Sequence, residues 1–476
     1  MADTGASSLN EIITLIHKSL TNSEAAVDDP IRECGGPALY LLERNPELCL
    51  QLAYQKLHDV PYKDVQACWR RLYTDAALWR VLAILKETQN EDGMTQVVKW
   101  LDMALIVAGA PMREELVGEI FARLEGVTTR VEDVDAKADA EQRAPKKRRL
   151  NATMIGVNTV PPAFPSVRTP IPTLRFPAPR IDNMTLEAFQ TRILNAETQT
   201  PVIITGAIDH WPALDNRPWS DPSYLLARTL GGRRLVPVEI GRSYTDQDWG
   251  QKILSFGEFM RNHMLQSNPL STRASASQTG YLAQHDLFAQ IPSLRNDISI
   301  PEYCYCEPPS PQSTPAAAPK LETPLLNAWF GPGGTISPLH TDPYHNILAQ
   351  VVGSKYVRLY GPAQTEFLHP RGVDEKGIDM SNTSLIDLDS AFDLFPELSP
   401  FRNGDEVTAQ DGHKADEQEQ SKEDGKTEFE EEYAGFRSAE YVEGVLEPGE
   451  CLYIPEKWWH YVRSLSPSLS VSFWFS

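Results

Sequence analysis

Cysteine is scarce in this chain. Six residues, Cys34, Cys49, Cys68, Cys304, Cys306 and Cys451, are spread over 476 positions. Their spacing builds neither a disulfide framework nor a C-x-x-C zinc pair, which points to a reducing compartment. Cys304 and Cys306, the one close pair, read as structural. Long apolar runs are also missing. The longest candidate, MALIVAGAP at Met103–Pro111, falls far short of a bilayer span, so no membrane role is expected. The opening residues, MADTGASSLNE, lack the basic and apolar regions of a secretory leader. Positive charge is the minority sign, with 44 Lys and Arg against 65 Asp and Glu and a net charge of −21. That balance argues against a broad phosphate-binding face, and direct nucleic-acid binding is not expected. Histidine is sparse too, at 10 residues, so an imidazole standing beside a carboxylate is informative.

The composition changes twice along the chain. Residues 1–127 repeat a helical spacing, first in Leu9, Ile12, Ile13, Ile16 and Leu20, then in ELCLQLAYQKL and AALWRVLAILKE. They predict an all-α partner or docking domain, with no cluster of His, Cys or carboxylates facing an apolar stripe. Residues 128–169 read as a linker, charged and then Pro-rich, with almost no periodicity. It carries PKKRRL, Pro145–Leu150, four consecutive cations in an acidic chain. An exposed basic cluster on a flexible arm is what an acidic import receptor grips, so the expected location is the nucleus, with the cytoplasm as a second. Residues 170–476 switch to short strands between Gly/Pro turns, including TPVIITGAI, RRLVPVEIG, NILAQVVGSKYVRLY and SLSVSFWF. That pattern predicts a β-barrel or jelly roll. The fold class is therefore α+β and multidomain. Two insertions interrupt the strands. One is EPPSPQSTPAAAPK. The other, at about 402–435, holds 12 acidic and 3 basic residues between Asp405 and Glu432 and is expected to be disordered.

Candidate chemistry begins at GPGGTISPLHTDPYHN, Gly331–Asn346. If Leu339–Thr341 are extended, His340 and Asp342 share a face, because side chains alternate with period two. A metal needs a third donor, and the best remaining one is His460 in LYIPEKWWHYVRSL. Two imidazoles and one carboxylate make the facial triad of non-haem Fe(II) oxygenases, which leaves positions open for a co-substrate and O2. The sequence distance suggests that His460 comes from the opposite sheet of the roll. His345 has the wrong parity for this face. His285 and His369 lack a carboxylate at strand spacing and read as satisfied core or surface histidines. In GSKYVRLYGP, Lys355 aligns with Val357 and Leu359, so it is expected to be buried. A buried ammonium needs an anion, such as the distal carboxylate of a dicarboxylic acid.

The segments SPLHTDPYHNILAQVVGSKYVRLYGP, PGECLYIPEKWWHYVRSLSPSLSVSFWFS and PVIITGAIDHWPALD resemble the Jumonji-C oxygenases of the cupin superfamily over about residues 170–476. The resemblance implies a double-stranded β-helix, Fe(II) on His340, Asp342 and His460, and O2 and 2-oxoglutarate as co-substrates. It places the 2-oxoglutarate carboxylate on Lys355 and the Tyr281 hydroxyl, with Ser337 and Asn346 as further polar contacts. It also implies a protein or peptide substrate, with a chromatin protein or histone tail among the candidates. Hydroxylation of an arginine C–H bond is the main expectation. A guanidinium wants a carboxylate and aromatic faces, and Glu239, Tyr244, Trp249 and Trp329 offer them. The alternatives are demethylation of histone methyl-lysine and an inactive interaction scaffold.

Overall fold

The computed structural model of the chain describes residues 3–22, 29–88, 90–126, 160–165, 171–195, 197–246, 248–266, 279–309, 318–373, 377–401 and 423–476. The basic run at 145–150, most of the Pro/Ala-rich insertion and the first part of the acidic one lie outside these residues.

Among the described residues, six α-helices open the chain: α1 (Asp3–Thr21), α2 (Gly36–Arg44), α3 (Pro46–His58), α4 (Ala67–Glu87), α5 (Glu91–Ala108) and α6 (residues 114–126). Their ends follow local chemistry. The Asn45 side chain accepts from Leu48 N at 3.2 Å and Pro46 takes the first turn of α3. Asn90 caps α5 through Gly93 N at 2.8 Å, and Gly109, at φ 71°, ends it in the left-handed region. Helix α4 has no polar stripe because it is central. Leu72, Ala76, Ala77, Leu78, Val81, Leu82 and Leu85 are all buried, some in a cluster with α1, α5 and α6, others in one with α2 and α3. The first cluster takes in Leu230, which lies far along the chain, so the helices pack against the strand region.

Thirteen strands follow among the described residues: β1 (Arg180–Asp182), β2 (Val202–Thr205), β3 (Leu235–Ile240), β4 (Gly250–Ser255), β5 (Gly280–His285), β6 (Leu325–Gly331), β7 (Ile336–His340), β8 (His345–Val352), β9 (Lys355–Tyr360), β10 (Tyr441–Leu446), β11 (Cys451–Ile454), β12 (Trp459–Ser464) and β13 (Ser468–Phe475). They form a nine-stranded sheet in the order β1-β2-β11-β8-β13-β6-β5-β3-β4 and a four-stranded sheet in the order β10-β9-β12-β7. All pairs are antiparallel except β1–β2. The inner faces meet in an apolar layer of Ile203, Leu348, Leu452 and Ile454 from one sheet and Val357, Leu359, Leu446 and Val462 from the other. This is the jelly roll that the short strands predict. Further apolar layers cover both outer faces, which is why β8 and β9 are buried at every residue.

Two expectations change. Residues 160–165, read as linker, lie against the barrel, with Phe164 edge-on to Phe330 at 5.7 Å between centroids and Val160 beside it. The acidic insertion is not wholly a solvated loop either. Residues 423–432 are helical and bury Phe429 against Phe395 and Phe436. One aromatic per turn is enough to dock a short helix whose other faces are charged, and net charge hid that contact.

Candidate active site

Strands β7 and β12 lie side by side in the smaller sheet, and His340 is the register partner of His460. The third donor therefore comes from the neighbouring strand of the same sheet, not from the opposite sheet as expected. The ladder carries an irregularity here, because Val462 pairs with Ser337 while His460 pairs with His340. Three steps on β7 match two on β12, so a bulge at Pro338 and Leu339 turns both Ser337 and His340 toward the cavity. Proline suits a bulge, where a missing N–H costs least. Asp342 lies beyond the end of β7, so a turn rather than strand alternation brings it to the same side.

His340 Nε2 stands 3.7 Å from Asp342 Oδ1, and His460 Nε2 stands 3.6 Å from Asp342 Oδ2. One ligand atom from each residue falls within 4.8 Å of the others, a spacing one ion can bridge. Each imidazole is held by its other nitrogen: His340 Nδ1 meets Pro338 O at 2.7 Å and His460 Nδ1 meets Trp458 O at 3.0 Å. A carbonyl only accepts, so Nδ1 carries the proton and Nε2 keeps a free lone pair. Burial, with His340 beside it, pushes His460 down to about 4, which keeps it neutral at physiological pH. The donor set thus fits a divalent ion such as Fe(II).

The three donors line a cleft of about 350 Å³ with Tyr281, Trp329, Ser337, Asn346 and Lys355, closed by the apolar Leu348, Ile454 and Val462. Sequence reasoning passed over these three aliphatics, although alternate positions on β8, β11 and β12 mark them as inward. Lys355 is 1 % exposed and burial pushes its ammonium down to about 7, with no charged partner to counter it. Its Nζ donates to the Tyr281 hydroxyl at 3.4 Å, and Ser337 bonds the same phenol. Asn346 donates to Asp342 Oδ2 at 3.5 Å and leaves its own Oδ1 buried without a partner. A buried ammonium is what a bound carboxylate would pair with, whereas Asn346 Oδ1 accepts and would need a donor.

Glu239 on β3 is the register partner of Tyr281 on β5, so the two side chains project from the same face. Burial raises the Glu239 carboxyl, and Trp249 Nε1 donates to it at 3.3 Å. Tyr244 feels both Asp342 and Glu239 and reaches Thr383 Oγ1 at 3.5 Å. Trp329 lies 6.1 Å from the Tyr281 ring and donates to Ser472 Oγ at 2.9 Å. Of these four, Trp329 lines the cleft, while Glu239, with Trp249 bonded to it, lies beside the cleft residue Tyr281. The loop bearing Tyr244 and Trp249 is pinned by Arg242, which pairs with Asp246, Asp387 and Asp389. No local pattern marks that anchor, because Asp387 and Asp389 lie far along the chain. The other histidines are elsewhere engaged: His345 with the Tyr453 hydroxyl at 3.0 Å, His285 with Gln290 Oε1 at 2.6 Å, and His369 with Ala434 O at 3.2 Å.

Residues 187–476 match the family model of the cupin-like domain, and residues 43–139 match that of the KDM8-like, N-terminal ARM repeats. The chain belongs to the Jumonji-C branch of the cupin-like proteins, oxygenases that use Fe(II), 2-oxoglutarate and O2 on protein substrates. Among its relatives it is 31 % identical over 488 residues to Lysine-specific demethylase 8 of Xenopus tropicalis, covering 95 % of this chain and 94 % of that protein. It is 34 % identical over 440 residues to Lysine-specific demethylase JMJ30 of Arabidopsis thaliana, covering 90 % and 85 %. It is 31 % identical over 456 residues to Jumonji C domain-containing protein 5 of Drosophila melanogaster, covering 96 % and 90 %. The repeat character of the helical region escaped the sequence reading, which saw helices but no period.

Proposed function

We propose that this protein oxidises a cationic side chain of a protein substrate, with arginine C–H hydroxylation as the main reading. The carrying observation is Glu239. Its half-buried carboxylate stands one strand from Tyr281, and among the described residues only Trp249 donates to it. A guanidinium, with five donors in a planar fork, suits such a carboxylate flanked by aromatic rings. His340, Asp342 and His460 would hold Fe(II), which would supply the activation of O2 coupled to decarboxylation of 2-oxoglutarate. Lys355 and Tyr281 grip the distal carboxylate of 2-oxoglutarate, with Ser337 and Asn346 as further polar contacts. Glu239 orients the cation, Tyr244, Trp249 and Trp329 supply its aromatic surroundings, and Leu348, Ile454 and Val462 keep water from the reacting carbon.

A second reading is demethylation of methyl-lysine, and two relatives known as lysine-specific demethylases favour it over hydroxylation. The same carboxylate and rings would accept a methylated ammonium. The products separate the two. Hydroxylated arginine is stable and gains one oxygen, about 16 Da, whereas a hydroxylated N-methyl group collapses and releases formaldehyde. Incubation with Fe(II), 2-oxoglutarate and paired arginine and methyl-lysine peptides, followed by mass spectrometry and formaldehyde assay, decides between them. Succinate release with neither peptide would leave only the scaffold reading. Nuclear location, supported by the basic run 145–150, completes the proposal, with a chromatin-associated protein among the candidate substrates.

A further inference from the structure

The helical region reaches into the strand region through one carboxylate. Asp102, in α5, is wholly buried and accepts from Arg234 Nε at 3.0 Å, Arg234 Nη2 at 2.8 Å, Leu235 N at 2.7 Å and Gln290 Nε2 at 2.7 Å. Gln290 Nε2 also donates to Leu235 O at 2.8 Å, and its Oε1 takes His285 Nε2 at 2.6 Å. Phe121 of α6 lies under the Arg234 guanidinium at 3.6 Å. Leu235 is the first residue of β3 and His285 the last of β5. These strands pair antiparallel at Glu239–Tyr281 and Ile240–Gly280, so the start of β3 lies toward the end of β5, and Gln290 bridges the two. The Asp102 network clasps both at that meeting point. Four residues along β3, about 13 Å at the usual rise, stands Glu239; four residues back along β5 stands Tyr281.

We propose that Asp102 is a positioning residue for the ligand cleft. It fixes the register and separation of the two strands that present Tyr281 and Glu239, and so makes the helical repeats a structural part of the site. This rests on the reading that those side chains face 2-oxoglutarate and substrate. The metal donors stand on the other sheet, on and beside β7 and β12, and are not clasped by this network. A buried carboxylate taking four donors has no role as a docking surface. Removing its charge leaves the buried Arg234 with the Gln290 carbonyl and the more distant Glu125 alone to counter it, and the nearest structure able to yield is the start of β3.

The test uses the full chain loaded with Mn(II). Asp102→Asn should weaken 2-oxoglutarate binding measured by calorimetry and, with Fe(II) in place of Mn(II), raise the peptide KM, each about tenfold, while Mn(II) affinity stays within about twofold. Amide exchange should quicken in β3 and β5 and not in β7 and β12. Asp29→Asn serves as the control. It removes another buried carboxylate, paired with Arg71 at 3.2 Å inside the helical region, and should lower Tm without these changes. Gln290→Met removes the side-chain bonds to Asp102, Leu235 O and His285 but keeps the Asp102–Arg234 pair, and gives a milder version of the same pattern, for use if Asp102→Asn does not fold. The proposal is overturned if Asp29→Asn has the same effect on binding, or if exchange in β3 and β5 does not respond. A wild-type chain that binds 2-oxoglutarate but oxidises no cationic peptide would refute the substrate reading alone, because the binding and exchange measurements still decide the role of Asp102.

Discussion

His340 and His460 face each other across the β7–β12 ladder with ring centroids 4.2 Å apart, each imidazole tied through Nδ1 to the carbonyl two residues before it. Both rings are therefore oriented by backbone before any ion arrives. His340→Ala and Asp342→Ala should each lower Mn(II) affinity by about 100-fold or more, since even partners one bond further out cost 10- to 100-fold. Both residues are partly exposed at the cleft rather than core packing, so Tm should move by only a few degrees. Calorimetric metal titration with thermal melts checks this, and unchanged affinity in both variants would remove the triad assignment.

Lys355 gives the site a pH dependence. Its ammonium is lowered to about 7 from 10.5 by burial. Below pH 7 it is charged and ready for a carboxylate. Above pH 7 the ligand-free lysine is neutral, so 2-oxoglutarate affinity should fall by up to about tenfold per pH unit. The stability of the ligand-free chain runs the other way. Between pH 7 and 10.5 the unfolded lysine binds more protons than the folded one, so this group's burial cost is fully present below 7 and fades as pH rises. Lys355→Met should abolish the slope in binding and lower affinity about 100-fold, while raising the ligand-free Tm by about 2 °C. A pH-independent affinity between 7 and 9 in the wild type would contradict the pairing.

Glu239 should matter to substrate alone. Glu239→Ala should reduce peptide turnover about 100-fold, as loss of a charged hydrogen-bond partner costs about 2–4 kcal/mol. The 2-oxoglutarate Kd should change less than about threefold, because Lys355 and Tyr281 hold that ligand. Steady-state kinetics beside calorimetry separate the two, and equal losses in both would assign Glu239 a structural role.

The basic run 145–150 carries a prediction of its own. Replacing Lys146, Lys147, Arg148 and Arg149 with Ala should move a tagged protein from nucleus to cytoplasm. Fluorescence imaging reads the result, and an unchanged distribution would reduce the run to a solvated charge cluster.

The sequence exposed the chemistry of this site better than its geometry. A His and an Asp two apart, a lysine aligned with valine and leucine, and a distant imidazole after a turn are local signals, because strand alternation is a local rule. Which sheet holds His460 depends on pairing 120 positions away, and the bulge at Pro338 depends on the partner strand's register; neither leaves a local trace. Phe164 and Phe429 were hidden by composition, since Pro-rich and acidic stretches read as solvated even when one aromatic docks. Asp102 was the missed opportunity. A lone carboxylate inside VVKWLDMALIVA is costly to bury without a partner, and that cost alone implies a cation from outside the helix.

Pairing β7 with β12 also governs when metal competence emerges during folding. A chain that has not closed this ladder holds only the His340–Asp342 fragment, a bidentate binder too weak to retain iron against buffer. Bringing His460 alongside spans a loop of 120 residues, which places the event among contacts of high sequence separation and therefore late. Metal capture during refolding thus reports closure of the roll.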